Sequence, residues 1–140
     1  MQVNHFNEIA GEFERRVRTM IWCNVATVDQ QGRPRSRVLH PIWEGATGWI
    51  GTKHLAHNPF VSLAYVADMM NPVYADCKAE WVDDLETKRR IWNLFETTPE
   101  PIGYKPAESG FVSPESEHWG VLRLTPWRID IVSFPAPSVE

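Results

Sequence analysis

Residues 73–81 alternate without a break. Val73, Ala75, Cys77, Ala79 and Trp81 fall on one side, and Tyr74, Asp76, Lys78 and Glu80 on the other. A period of two fits an extended strand with one face on a core, whereas helical apolar positions recur every three to four residues. The same habit runs through much of the chain. Residues 21–29 are rich in β-branched side chains, which suit strands. Residues 33–43 alternate, with Arg35, Arg37, Leu39, Pro41 and Trp43 facing one way and Ser36, Val38, His40 and Ile42 the other. Residues 48–52 make a further strand, residues 60–67 are apolar almost throughout, and 118–125 and 127–134 form two closing strands kinked at Pro126. Turn residues separate them at Gln30-Gln31-Gly32, at Glu44-Gly45-Ala46-Thr47 and before Pro72.

Helical spacing is confined to two segments. Phe6, Ile9, Phe13 and Val17 predict an N-terminal helix within residues 1–20, with Glu8, Glu12 and Glu14 early and Arg15, Arg16 and Arg18 late. That order complements the helix dipole. Asp83 predicts an N-cap for a second helix from residue 84 to about residue 95, burying Leu85, Ile91, Trp92 and Phe95. Residues 97–117 carry four prolines and read as a long loop, and residues 135–140 as a tail. About seven strands in sequential hairpins with two helices predict one mainly β domain over residues 1–140, an antiparallel barrel with helices outside. A parallel sheet needs strand–helix alternation, which is missing.

Charge and composition exclude some functions. A net charge of −4 does not suit a nucleic-acid or anionic-membrane binder. No apolar run approaches the ~20 residues of a membrane helix. Cys23 and Cys77 lie in apolar segments. The start of the chain has no basic stretch followed by an apolar one, so two reduced thiols and a cytoplasmic location are expected.

The stretch with chemical character is GWIGTKHLAHNP, residues 48–59. Here a strand ends in a hydroxyl, an ammonium and an imidazole: Thr52, Lys53 and His54. Free backbone N–H groups at such a turn, with Arg35 and Arg37 from the preceding strand, would suit an anion such as phosphate. Trp43, Trp49, Trp119 and Trp127 are either core or platforms for a planar ring. His54 and His57 lack a third ligand at metal-binding spacing, and no metal site is expected. No nucleophile motif is present, so no catalytic residue is assigned.

The segments NVATVDQQGRPRSRVLHPIWEG, GWIGT with LAHNPFVSLAY, and WGVLRLTPWRIDI resemble the pyridoxamine 5′-phosphate oxidase-like, FMN-binding split-barrel family over residues 6–134. The resemblance implies a split barrel of six to seven antiparallel strands and a homodimer with a flavin at the interface. It also implies a small-molecule oxidoreductase activity. Arg37, Val38, Leu39 and His40 match the strand that runs along the flavin. Thr52 and Lys53 match the phosphate clasp, and Trp119 matches a contact from the partner subunit. FMN is the expected cofactor. A deazaflavin coenzyme, whose acidic tail would engage Arg33 and Arg35, is the first alternative. A haem- or flavin-binding sensor is the second, with His40, His54 or His118 as axial ligand. Lys53 directly follows Thr52, where the family has a longer segment. The family's Arg- and His-bearing end has no counterpart before Glu140, so pyridoxamine phosphate itself is not the expected substrate.

Overall fold

The computed structural model describes residues 2–52 and 59–134. A 3-10 turn at Phe6–Glu8 leads into helix α1, Ala10–Met20. Seven strands follow: β1 Cys23–Val28, β2 Pro34–Leu39, β3 Ile42–Glu44, β4 Thr47–Thr52, β5 Phe60–Tyr65, β6 Val73–Val82 and β7 Gly120–Ile131. Helix α2, Leu85–Thr97, lies between β6 and β7. All pairings are antiparallel, in the order β2-β1-β5-β6-β7-β4-β3. The expected mainly β architecture is present as one curled sheet with two helices.

Alternation sets the inner face. Val73, Ala75 and Cys77 are wholly buried. They join Val25, Leu63, Tyr65, Leu122 and Leu124, and Phe13, Val17 and Met20 of α1 close this core. A second cluster lies under α2, where Ile91 and Phe95, one helical turn apart, meet Trp49, Trp119 and Val121. Arg16 pins α1 to the end of the chain. Its guanidinium donates to the carbonyls of Pro72 (3.2 Å) and Val132 (2.7 Å) and to Ser133 Oγ (2.8 Å), while Glu12 takes its Nε at 2.7 Å.

Several boundaries differ from the sequence expectation. The strand anticipated over residues 33–43 is two strands, because the ladder stops at Leu39 and Pro41 has no N–H to continue it. β2 therefore pairs with β1, while β3 pairs with β4, so the expected hairpin between the Arg37 strand and the Thr52 strand does not form. The two closing strands are a single β7. Pro126 is accommodated by a register shift opposite Asp76 and Cys77, and Trp127 is left without a ladder partner. Asp84, rather than Asp83, caps α2, accepting from the Thr87 N–H at 2.9 Å. The 97–117 segment is partly ordered by its own packing. It carries a 3-10 turn at Pro106–Ser109, and Tyr104 stacks on Phe95 with centroids 5.1 Å apart.

Candidate functional site

β2 forms one edge of the sheet. Half of an edge strand's backbone groups face away from its single neighbour and remain free to bind something else. Its side chains divide as the alternation predicts. Ser36 and Val38 point outward, and Val38 is 63% exposed. Arg37 and Leu39 point inward and are half-buried, opposite Val25 and Cys23 of β1. Among the described residues, Arg37 Nη1 is buried and has no hydrogen-bond partner. A buried donor without an acceptor costs about 1–3 kcal/mol, and more when it is charged. An anion at this place would remove that cost.

Arg35 lies two residues earlier on the same face and is exposed. Arg33 is already occupied. Its Nε donates to Asp29 Oδ2 at 2.9 Å and its Nη2 to Gln31 at 3.0 Å. The Arg33 backbone N–H, helped by the Arg33 side chain and the Gln31 N–H, draws the Asp29 carboxyl below its ordinary range.

Thr52 is half-buried at the end of β4, paired with Gly120 of β7. The β3–β4 register sets Ile42 opposite Trp49. Lys53, the other half of the expected clasp, lies outside the described residues, as does His54. Gly51 precedes Thr52, and a Cβ there would meet Trp119 Nε1 at 2.8 Å and Phe95 Cε2 at 2.9 Å. Only a glycine lets this strand end lie against the α2 cluster.

Trp119 is therefore placed differently from the expectation. It is 0% exposed, packed edge-on to Trp92 and Phe95, and its ring offers no surface to a partner subunit's ligand. Its Nε1 is buried without a partner among the described residues.

His40 sits just past the β2 ladder. Cys23 pairs with Leu39, so the next residues out, Trp22 and His40, face each other with ring centroids 4.9 Å apart. Tyr104 flanks the imidazole at 5.6 Å. Desolvation pushes the His40 pKa down, while a hydrogen bond at the Ile102 backbone works the other way. Nε2 is buried and unpartnered among the described residues. Trp22 is 56% exposed. It follows Ile21, whose φ of 68° is a strained conformation for a β-branched residue. Sequence reading did not single out Trp22, Ile102 or Tyr104. Nothing local marks them, since they meet His40 only through the fold.

No group of three or more His, Cys, Asp or Glu side chains among the described residues is arranged to hold a metal. No helix among them is long and apolar enough to cross a membrane.

Solved structures with this strand arrangement share one architecture. A general stress protein 26-related protein of the pyridoxinephosphate oxidase family, from Clostridium acetobutylicum, superposes with a TM-score of 0.70 at 14% identity, covering 90% of this chain and 89% of that one. A pyridoxamine 5′-phosphate oxidase-related, FMN-binding protein from Nostoc punctiforme gives 0.64 at 16% identity, covering 89% and 83%. The chain has the pyridoxamine 5′-phosphate oxidase-like split-barrel fold. HutZ, a heme storage protein from Vibrio cholerae, has the same split barrel, with a TM-score of 0.63 at 16% identity over 88% of this chain and 94% of that one. No protein-family model matches the sequence, and neither does any curated protein. At these identities the likeness speaks for the split barrel and not for a ligand.

Proposed function

We propose that this split barrel is a flavin-binding oxidoreductase, with FMN along β2 and its phosphate held by Arg37, Thr52 and Lys53. The observation that carries the reading is the buried Nη1 of Arg37, unpartnered among the described residues, on an edge strand. A phosphate fits this donor set, because a planar guanidinium and a hydroxyl both donate to phosphate oxygens. That one split-barrel neighbour is described as FMN-binding agrees with it.

The bound flavin would supply the hydride chemistry, as a redox cofactor does in any such enzyme. The chain's own residues have other tasks. Arg37 neutralises the phosphate charge. Val38 and Leu39 present the free backbone edge of β2 to a ring edge. Thr52 donates its hydroxyl, and Trp22, His40 and Tyr104 shape the wall past the end of β2. No side chain is assigned a proton-transfer role. A deazaflavin coenzyme is the weaker alternative, because Arg33, one of the two arginines that would meet its acidic tail, is engaged by Asp29. Haem is weaker still, because Nε2 of His40 is enclosed, which leaves the exposed His118 among the described histidines proposed as axial ligands.

A homodimer belongs to the same reading. Val38, Asn24, Ala64 and Tyr74 form one cross-strand row on the outer face, and Val38 and Tyr74 are exposed. A second copy would cover the exposed Val38 and Tyr74 of this row. Titration with FMN, followed by quenching of flavin fluorescence, tests the proposal. Saturable one-to-one binding per chain supports it. Absence of binding at FMN concentrations up to about 1 mM, where even a contact of roughly 4 kcal/mol would register, contradicts it.

A further inference from the structure

β7 carries a kink that changes which side chains leave the sheet. Pro126 pairs with the wholly buried Cys77 and lies on the inner side, so Trp127 turns outward. The register shift then sets Arg128, not Trp127, opposite Asp76. Two consecutive side chains therefore leave on the outer side, as a β-bulge permits. Trp127 is 63% exposed.

Among the described residues, most of the face it stands on is uncovered. α1 closes the inner face of the sheet, and α2 covers the outer one at one end, over Val82 and Val121. The remaining outer surface runs from Val38 of β2 across Ala64 of β5 to Tyr74 of β6 and on to β7. Val38, Tyr74 and Trp127 are exposed on it, and Ala26, Ser62 and Ala64 leave low ground between them. One exposed apolar side chain needs no explanation, but several on one face mark a contact surface.

Charge selects the partner. The outward positions of β1, β2 and β5 carry no ionisable group. Those of β6 and β7 carry three acids, Asp76, Glu80 and Asp130, against three bases, Lys78, Arg123 and Arg128. The face is thus neutral on a chain of net charge −4. A nucleic acid, or a strongly acidic or basic protein, calls for a face of one sign. A two-fold contact sets a surface against itself, where a face of one sign would repel. The charges are also already satisfied within one chain. Asp76 accepts from Ser62 Oγ at 2.6 Å, Arg128 reaches Asp130 at 3.0 Å and Arg123 reaches Glu80 at 3.0 Å. Covering them strands none of them.

We propose that this face binds a second copy of the chain, with Trp127 as the anchor of the contact. The partner is the homodimer mate of the reading above, on which the proposal rests, and Trp127 is the residue that holds it. A tryptophan seated on small residues is the usual form of such an anchor. The copy that covers Val38 then lies over β2, the strand that carries Arg37.

The test is sedimentation of the full chain without added ligand. Wild type should be a dimer at about 10 μM. Trp127→Glu should weaken the dimer at least about 30-fold, as loss of an interface anchor does. Ala64→Arg, which fills the low ground, should do the same. Val112→Glu replaces a more exposed apolar residue on the 97–117 segment and should leave the dimer intact. A wild type that stays monomeric at about 100 μM overturns the proposal, and so does a dimer that survives both face variants. FMN titration of the same samples separates the two readings. A monomer that binds FMN keeps the flavin and loses this interface, whereas a dimer broken by Trp127→Glu that binds no FMN keeps the interface and loses the flavin. Should Trp127→Glu fail to fold, Ala64→Arg and the wild-type measurement decide.

Discussion

Arg37 stands directly across the β1–β2 ladder from Val25, a core residue with 1% exposure. A guanidinium on the core side of an edge strand, with one nitrogen buried and unpaired, is a poor choice for stability alone. It is a reasonable one if an anion arrives later. Arg37→Ala should weaken FMN binding by roughly 10- to 150-fold, the 1.5–3 kcal/mol of a charge-assisted hydrogen bond. The ligand-free variant should melt no lower than wild type, because the buried Nη1 has no partner among the described residues. Calorimetric titration and a thermal melt read the two effects separately. A lowered melting temperature with unchanged affinity would make Arg37 structural.

Gly51 tests the link between the α2 cluster and the clasp. In Gly51→Ala the new Cβ meets the Trp119 and Phe95 rings below ordinary contact distance. The cost should be about 1–3 kcal/mol, as for other overpacked cores. Because Thr52 is the next residue, FMN affinity should fall as well. Tryptophan emission and chemical denaturation report the first effect and flavin titration the second. A variant as stable as wild type would mean that the two rings move aside freely.

The parts of this site that sequence could show were those carried by period two. The alternation of residues 33–39 placed Arg35, Arg37 and Leu39 on one face and Val38 on the other, and the structure has them so. The break at Pro41 was harder to place, since proline fits an edge strand, a bulge or a strand end equally well. Trp119 is ambiguous in sequence for a related reason. A tryptophan at a strand entry reads the same whether it faces ligand or core, and only the packing of α2 over β7 decides. The Trp22–His40–Tyr104 group joins three separate stretches of chain, so no local pattern announces it. Sequence marked Arg16 only as one of three basic residues late in α1, yet it is 6% exposed because its acceptors, the carbonyls of Pro72 and Val132, lie far along the chain.

Acid should loosen the α1 anchor. Hydrogen bonds from Arg15 and Arg16 bring the Glu12 pKa down from 4.5 to about 2. A carboxylate with a depressed folded-state pKa stabilises the fold above its unfolded value, and this is lost as pH falls through the folded one. The loss therefore runs from about pH 4.5 to about pH 2. Glu12 is 42% exposed, so solvent screening limits its contribution to under about 1 kcal/mol. Glu12→Gln should melt slightly lower than wild type at pH 7 and converge with it near pH 2. Parallel melting curves across that range would show that Glu12 contributes nothing.

Both thiols should be inert in the folded protein. Burial pushes Cys23 and Cys77 up to about 12, so almost no thiolate forms near pH 8. A disulfide reagent such as Ellman's should react with neither cysteine in the native state and with both after denaturation. Rapid reaction of either one under native conditions would place that cysteine outside the core described here.

The central claim is that a phosphate-bearing flavin occupies β2 and the end of β4. Its most direct test is the visible spectrum of freshly purified protein, with the ligand released by heat and identified by mass. The protein should be yellow, or colourless and yellow on reconstitution, and should release FMN. A protein that takes up neither FMN nor a deazaflavin, or that releases haem, would contradict it.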